Sequence, residues 1–307
     1  MVEGQHPDDA GSVGGLTPQS SLRAAKSAFD IHMEREGFTE NTIKAFRSDL
    51  DIFARFIGAW TAVGEISTSD LDRFTDWLVN DREAPCSPKS LARRVTTLKV
   101  FFGWLAESEI ILHDPAAPIV HEPASTPLPD ILADKQIERV LEVTNARRET
   151  QNPDARPHLL VTLLLHTGIK KGECMSITMN HIDVTDPSSP VLWIRYANPQ
   201  RRHKERRLQL PAWWSTTLSE YRAQYQPEDA LFPCTARNLE YVLSDIAEEA
   251  SLAQGLSFET LRWTSAVRDY KAGMKSTDLR KKLGLSKVTW RQTKQKIARL
   301  AGPTLSA

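Results

Sequence analysis

A proline-rich segment, residues 113–130, divides the 307-residue chain and constrains its fold more than any other feature. It reads HDPAAPIVHEPASTPLPD and has no helical spacing of apolar residues. Proline removes a backbone donor and disfavours helix for the residue before it, so no regular helix or central strand is expected there. The chain is long enough for two domains that each bury a core. We therefore predict a linker at 113–129 between domains at 21–112 and 130–307.

The first domain is predicted to be a compact bundle of four amphipathic helices. Between residues 21 and 110, four stretches repeat apolar residues at three- and four-residue spacing, with polar caps or a proline at their starts. The clearest begins at Thr39, after which Ile43, Phe46, Leu50 and Phe53 form one apolar stripe. Residues 1–20 are rich in Gly, Ser, Pro and Asp, so we expect a disordered tail there.

The second domain is predicted to be mostly helical with a small β-hairpin. The segments VLWIRY and RRLQL read as two strands, and NPQRRHKE joins them. Helical spacing occupies most of the remaining sequence, and the last helical stretch is expected to break at Gly284. The whole chain is therefore predicted to be mainly α with a small β-hairpin or sheet.

Several classes of protein are disfavoured by composition. No run of 18 apolar residues occurs and the N-terminus is polar, so we expect no membrane span, no secretory signal and a cytoplasmic location. The three cysteines stand far apart, which argues against a disulfide framework and a zinc knuckle. The histidines do not pair at a metal-ligand spacing, and no metal or cofactor is expected.

Positive charge is concentrated locally although the formal net charge is zero. Residues 259–300 contain twelve Lys and Arg against three acidic residues, and a second basic cluster, RRHKERR, spans Arg201–Arg207. A solvated basic surface is the ordinary interpretation of one such run. Two runs together favour a polyanionic partner.

Taken in order, the parts of this chain resemble the tyrosine recombinase/phage integrase family, of the bacterial Xer-like type. SPKSLARRVTTLKVFFGWLAESEIILHDPAAPI is similar to the last helix and exit of that family's core-binding domain. Successive parts of its catalytic domain resemble LPDILADKQIERVL, LLLHTGIKKGECMSITMNHID, and LRW followed by LGLS. The resemblance implies a helical core-binding (SAM-like) DNA-binding domain and an integrase-type catalytic-like domain that form a clamp around duplex DNA.

The family's reaction implies a set of catalytic positions that this chain mostly lacks. In that reaction a Tyr hydroxyl attacks a DNA phosphodiester while cations and imidazoles stabilise the phosphate. At the family's two Arg positions this chain has Lys170 and Arg262, and at its Lys position it has Arg201, with Arg202 and Lys204 beside it. Glu259 occupies the position of the His in His-x-x-Arg, and Leu285 occupies that of a His or Trp. Lys294 occupies the position of the nucleophilic Tyr. Only Arg262 matches, so no catalytic residue is expected.

Other residues are weaker candidates for the chemistry. Tyr270 and Tyr241 are expected to be core residues at helical spacing. Lys294 could attack phosphorus only as a neutral amine, whereas lysine side chains ordinarily carry a proton at neutral pH. Glu259 would repel a phosphate and is expected to pair with Arg262 or another cation.

DNA binding requires different residues from cleavage, and several are present. Polar and cationic side chains off the apolar stripes of two helices suit phosphates and base edges in a major groove, with a solvated surface as the alternative. In the first domain they are Thr39, Asn41, Lys44, Arg47, Lys89, Ser90, Arg93 and Arg94. In the second domain we expect DNA contacts from Lys170, Arg201, Arg202, Lys204 and Arg262.

The sequence therefore favours a catalytically inactive, recombinase-like protein that binds duplex DNA. It would serve as an accessory, architectural or regulatory factor of a mobile element, phage or plasmid, with an active recombinase or another nucleoprotein complex as a possible partner. It could form a homo-oligomer on DNA. Two alternatives are an active strand transferase with a non-standard nucleophile, and a protein-interaction scaffold that has lost DNA binding.

Overall fold

The computed structural model describes residues 15–120 and 127–302. The chain divides into two compact units, residues 1–126 and 127–307. Within the described ranges, none of the helices combines the length and apolar content of a membrane span. Most of the chain is helical, with one small antiparallel sheet, which confirms the predicted fold class.

The described part of the first unit contains four α-helices, each begun by a side-chain cap. The helices are α1 (Leu22–Arg35), α2 (Glu40–Ile57), α3 (Thr68–Asn80) and α4 (Pro88–Glu107). Ser21, Thr39, Ser67 and Ser87 each accept a hydrogen bond from a backbone N–H of the first turn. These caps satisfy donors that have no partner within the helix. The four predicted amphipathic helices are confirmed.

Aromatic side chains fill the centre of this bundle. Phe29, Phe53, Phe74, Phe101 and Phe102 are almost fully buried. The ring centroids of Phe53 and Phe74 lie 5.1 Å apart in an edge-to-face arrangement, and Phe29 meets Phe101 in the same way at 5.2 Å. Such offset pairs add directional contacts to the burial of apolar area.

Ordered structure extends beyond both predicted ends of the first helical domain. Residues 1–14 of the predicted tail lie outside the described residues, but Pro18 and Ser20 accept backbone hydrogen bonds from Gly64 and Val63. In the predicted linker, Ile119 is buried in the core of the first unit. Residues 121–126 lie outside the described ranges.

Between residues 127 and 302, the second unit places eight α-helices around a short sheet. The helices are α5 (Asp134–Ala146), α6 (Arg156–Thr167), α7 (Lys171–Met175), α8 (Trp214–Tyr225), α9 (Ala236–Glu249), α10 (Phe258–Lys271), α11 (Ser276–Lys282) and α12 (Lys287–Ala301). The strands β1 (Ile182–Asp183), β2 (Val191–Ile194) and β3 (Arg206–Gln209) are antiparallel in the order β1-β2-β3. The predicted hairpin is β2–β3, and β1 adds a third strand.

Helix α6 is the centre of the second unit's core. Nearly all of its side chains are buried, and α5, α8, α9 and α10 pack around it. Its continuous apolar sequence is therefore that of a helix buried on all sides. A separate apolar cluster joins α10, α11 and α12 through Ala266, Leu279, Leu283 and Trp290.

Two glycines end helices in the second unit where the chain must turn sharply. Gly168 follows α6 with φ of 59°, and Gly284 follows α11 with φ of 62°. Both values lie in the left-handed region, which favours glycine. The predicted helix break at Gly284 is confirmed. These turns lead directly into Lys170 and Leu285, so they position the site described next.

Candidate functional site

A cavity of about 660 Å³ in the second unit brings together four of the six positions compared with the recombinase motif. Lys170, Glu259, Arg262 and Leu285 line it. The remaining wall consists of Lys171, Glu240, Leu256, Ser257, Phe258, Trp263, Ala266, Leu283, Thr289 and Thr293. The two turns that follow Gly168 and Gly284 therefore meet the start of α10 at one concave site.

Arg262 holds these two turns together. Its guanidinium donates to the carbonyl oxygen of Gly168 and, over 2.7 Å from Nη2, to that of Leu283. Burial lowers the pKa of Arg262 to about 10, so the side chain stays charged at neutral pH. A guanidinium has five N–H donors, so others remain for an anion. Arg262 is thus a positioning residue for the cavity as well as one of its cations.

Lys170 supplies positive charge that no nearby carboxylate balances by direct contact. Its side chain is exposed at the cavity, and among the described residues its ammonium forms no ion pair. Burial, together with the charges of Arg262, Lys204 and Arg206, lowers the pKa of Lys170. An anion bound in the cavity would relieve this repulsion between cations.

Glu259 was predicted to pair with Arg262 or another cation, but among the described residues its carboxylate lies in no ion pair. Its exposed carboxylate accepts a hydrogen bond from Trp263 Nε1 over 3.4 Å. Arg262 is already directed toward the Gly168 and Leu283 carbonyl oxygens. The spacing of three residues allowed an ion pair, but the tertiary contacts of α10 draw the guanidinium away.

A buried ion pair beside the cavity was missed by sequence reasoning. Arg206 Nη1 and Nη2 donate to the two oxygens of Glu173 over 3.0 and 2.8 Å. Tyr196 and the backbone N–H of Lys170 also donate to this carboxylate. Burial acts to raise the pKa of Glu173, but Arg206 and these donors lower it to about 2. The only local signal was the spacing of Lys170 and Glu173, which fits a helix-capping box.

The basic loop between β2 and β3 forms a 3-10 turn over Pro199–Lys204. Arg201 and Arg202 are exposed and do not line the cavity, whereas the charge of Lys204 contributes to the lowered pKa of Lys170. Lys294 is exposed on α12, next to Thr293 of the cavity wall. The structure thus places neither Arg201 nor Lys294 in the cavity lining.

None of the five tyrosines, all of which lie in the described ranges, lines this cavity. Tyr221 and Tyr225 donate to the Leu231 carbonyl oxygen and to Asp154, and Tyr270 is partly buried in the α10–α12 cluster. Tyr241 is 55% exposed and accepts from Arg237, so the prediction that it is a core residue was wrong. Its side of α9 faces solvent while Leu239 and Val242 are buried.

In the first unit, the predicted DNA-contacting cations of α2 are exposed but already paired. Lys44 Nζ lies 2.6 Å from Glu40, and Arg47 Nε lies 2.9 Å from Asp30. Thr39 caps α2, and Asn41 is exposed in its first turn. Exposed ion pairs of this kind contribute at most about 1 kcal/mol, so a phosphate can replace the carboxylate.

Helix α4 contacts α2 through Arg93. Arg93 Nη1 donates to the Ala45 carbonyl oxygen of α2 over 3.2 Å and to Asp49 over 2.5 Å, while its side chain remains 43% exposed. Lys89 is exposed and Ser90 half-buried at the start of α4. Arg93 therefore joins α4 to the side of α2 that carries Ala45 and Asp49, whereas Arg47 is directed toward Asp30 of α1.

Arg94 is buried, contrary to the prediction that it lies on an exposed helix face available to DNA. It is only 8% exposed, and its Nε lies 3.4 Å from the other oxygen of the buried Asp49. Its guanidinium also donates to the sulfur of Cys86. Successive helical residues point about 100° apart, and packing of α4 on α2 turned Arg94 inward.

Replacement of Arg94 by alanine is accordingly expected to lower the free energy of unfolding by about 2 to 3 kcal/mol and to leave DNA affinity unchanged. Asp49 would lose one of two cations but retain Arg93 and Thr97, which limits the loss. Urea unfolding and a DNA titration of the same variant measure both effects. Lys89→Ala, an exposed change on the same helix, should alter stability by less than about 0.5 kcal/mol. Weaker DNA binding by a fully folded Arg94→Ala protein would contradict this assignment.

Among the described residues, no group of three His, Cys, Asp or Glu side chains is arranged to hold a metal ion. The lining of the candidate site combines three cations (Lys170, Lys171 and Arg262) with two carboxylates (Glu240 and Glu259) and six apolar side chains. Its possible ligands are anions, through Lys170 and Arg262, and apolar groups, through Leu256, Phe258 and Trp263.

Two family models match the two halves of the chain. Residues 27–112 match the phage integrase N-terminal SAM-like domain, and residues 130–293 match the phage integrase family. The second match alone covers more than half of the 307 residues. Tyrosine recombinase XerC of Roseiflexus sp. (strain RS-1) is 28% identical over 286 residues, which are 86% of each chain. XerC of Listeria innocua serovar 6a is 24% identical over 77% of this chain and 80% of its own.

Several solved structures of similar fold are DNA complexes. A lambda integrase dimer bound to a COC′ core site has a TM-score of 0.69 at 14% identity, over 91% of this chain and 78% of that one. XerH site-specific recombinase bound to palindromic difH substrate has a TM-score of 0.69 at 15% identity, over 94% and 89%. The Tn1549 transposon integrase with a circular intermediate DNA has a TM-score of 0.70 at 15% identity, over 91% and 95%. At these identities the likeness shows the fold alone.

Proposed function

This chain belongs to the phage integrase family of tyrosine recombinases, and on that premise we propose that it binds duplex DNA without cleaving it. It would act as an accessory, architectural or regulatory factor of a mobile element, phage or plasmid. The observation that carries the proposal is that the cavity retains Arg262 and Lys170 but is lined by no tyrosine. Phosphate can still be bound there, whereas the group that would attack it is missing.

The residues at the other motif positions also oppose cleavage. Leu285 cannot donate a hydrogen bond to a phosphate, and the Glu259 carboxylate repels one. Lys170 keeps the charge of an arginine but not its planar, two-pronged hydrogen bonding. Negative charge develops on the phosphate oxygens in such a reaction, and its stabilisation would therefore be largely lost.

Neither the nearest tyrosine nor Lys294 is well placed to replace the missing tyrosine. Tyr196 is close enough to Arg262 to influence the pKa of that residue, but the Tyr196 hydroxyl donates to Glu173. Burial and the Glu173 charge raise the pKa of Tyr196, which makes its phenolate harder to form. Lys294 lies outside the cavity lining and would have to lose its proton first.

The exposed surface of α2 and α4 supports retained DNA binding. Lys44, Arg47, Lys89 and Arg93 present positive charge along two helices that contact each other through Arg93. Several solved structures of similar fold were determined with DNA, among them a dimer and a tetramer, so we propose a duplex partner and a homo-oligomer on it. An active recombinase or another nucleoprotein complex is the proposed further partner.

Incubation of the full-length protein with sheared DNA from its own source tests this proposal. We expect one discrete set of fragments to be recovered with the protein, and no protein–DNA adduct on a denaturing gel. Log affinity should fall steeply with log salt concentration, because phosphate binding releases counterions. An active tyrosine recombinase on its own site provides the positive control for adduct detection.

Two other outcomes would each overturn the proposal. A band that survives denaturation would establish an active strand transferase with a non-standard nucleophile. Failure to retain any DNA at low salt, by a folded protein, would establish that DNA binding has been lost and would favour the protein-interaction scaffold.

A further inference from the structure

The cavity lined by Lys170 and Arg262 differs chemically from a site that holds only a DNA phosphate, because most of its wall is apolar. Leu256, Phe258 and Leu283 form buried parts of this wall, and the half-buried Trp263 and Leu285 complete it. A sugar-phosphate backbone carries no apolar group of a size that would cover these side chains. The parts of Trp263 and Leu285 that remain exposed to water would be covered by an apolar ligand, which is favourable.

We infer that this cavity binds a small amphipathic anion, with an apolar ring system and one phosphate, sulfonate or carboxylate group. The ring would lie against Phe258 and Trp263, and the anionic group would lie at Lys170 and Arg262. The inference goes beyond DNA binding and does not depend on it.

The polar side chains of the wall are mostly engaged with one another. Lys171 Nζ lies 2.9 Å from Glu240. The Thr293 hydroxyl donates to the Thr289 carbonyl oxygen, and the Ser257 hydroxyl pairs with that of Thr260. Over the ranges that the structure describes, the ammonium of Lys170 forms no such bond, and Arg262 has donors to spare. Strong donors without a partner are thus concentrated at one end of the cavity.

The size of the cavity fits a small molecule. Its volume of about 660 Å³ lies within the range of roughly 300 to 1,000 Å³ that ligand pockets occupy. Such pockets combine an apolar lining with a few polar groups that orient the ligand. The Glu259 carboxylate, held beside Trp263, would repel the anionic group and so favour its placement at Lys170 and Arg262. The ligand is therefore expected to bind in one orientation.

Calorimetric titration of the full-length protein without DNA tests the inference with three probes. Naphthyl phosphate combines a ring with an anion, naphthol carries the ring alone, and inorganic phosphate carries the anion alone. We expect naphthyl phosphate to bind once per chain and at least about tenfold more tightly than either of the others, because both halves of the cavity contribute. Equal binding of naphthyl phosphate and one of the simpler probes, or no binding, would overturn the inference.

Two variants locate the probe. Lys170→Ala should weaken the binding of naphthyl phosphate about tenfold, which is the effect of losing one charge-assisted hydrogen bond. Lys281→Ala removes an equal charge from an exposed residue of α11 outside the cavity and should have little effect. Thr293→Trp should abolish binding by filling the cavity from α12. Equal losses in Lys170→Ala and Lys281→Ala, or full binding by Thr293→Trp, would place the probe elsewhere and contradict the assignment. Since no DNA is present, either result leaves the test for a protein–DNA adduct unaffected.

Discussion

Replacement of Arg206 by alanine is expected to lower the free energy of unfolding of the second unit by about 3 to 5 kcal/mol. Arg206 and Glu173 have side chains only 8% and 3% exposed, and they share two hydrogen bonds. Without Arg206, the Glu173 carboxylate would remain buried with no cation in contact. Arg206 Nε also donates to the Lys282 carbonyl oxygen over 2.7 Å, so the variant also loses a contact to the end of α11.

Urea unfolding followed by fluorescence measures this loss. The matched control is Arg207→Ala, which removes an equal charge from the next residue of β3, where the side chain is exposed. We expect the control to change stability by less than about 0.5 kcal/mol. Similar stabilities for the two variants would show that the buried pair contributes no more than a surface residue.

Acid should reproduce part of the same effect in the unaltered protein. The pKa of Glu173 is about 2 in the folded chain, against an ordinary value of 4.5. A lowered carboxyl pKa contributes stability that is complete above about 4.5 and is lost as the pH falls toward 2. The Arg206→Ala protein should show a smaller loss over this interval, because its carboxyl group lacks the cation that lowered the pKa. An identical acid profile for both proteins would contradict the assigned role of Glu173.

Removal of two cations from α2 is expected to weaken DNA binding about thirtyfold at about 0.15 M salt. In the double variant Lys44→Ala/Arg47→Ala, two phosphate contacts would be lost, so the slope of log affinity against log salt should decrease by about 2. The ion pairs of these residues with Glu40 and Asp30 are largely exposed. Their loss should therefore change stability by no more than about 1 kcal/mol.

Fluorescence-anisotropy titrations of the recovered duplex at several salt concentrations measure both quantities. The double variant Arg23→Ala/Arg73→Ala provides a control of equal charge change, since both arginines are exposed on α1 and α3. It should retain most of the affinity and the original slope. If both double variants lose affinity equally, α2 is not the DNA-binding element and only the net charge of the unit matters.

Much of the fold could be predicted from local sequence because its determinants are local. Apolar residues at helical spacing, and caps such as Thr39 and Ser87, identify helices without knowledge of their neighbours. The break at Gly284 was predictable for the same reason, since a left-handed turn favours glycine wherever the rest of the chain lies. The convergence of Lys170, Glu259, Arg262 and Leu285 was expected from the family motif, and they line one cavity.

The partners of charged side chains were decided only by the tertiary structure. Sequence gave no means to distinguish Arg93 from its neighbour Arg94, because burial of one and exposure of the other depend on where Asp49 of α2 meets α4. Glu173 and Arg206 are 33 residues apart, and neither has a spacing that reveals the other. Helices and turns follow from interactions within a few residues, whereas a buried charge is stabilised by whichever donors the packed chain brings to it.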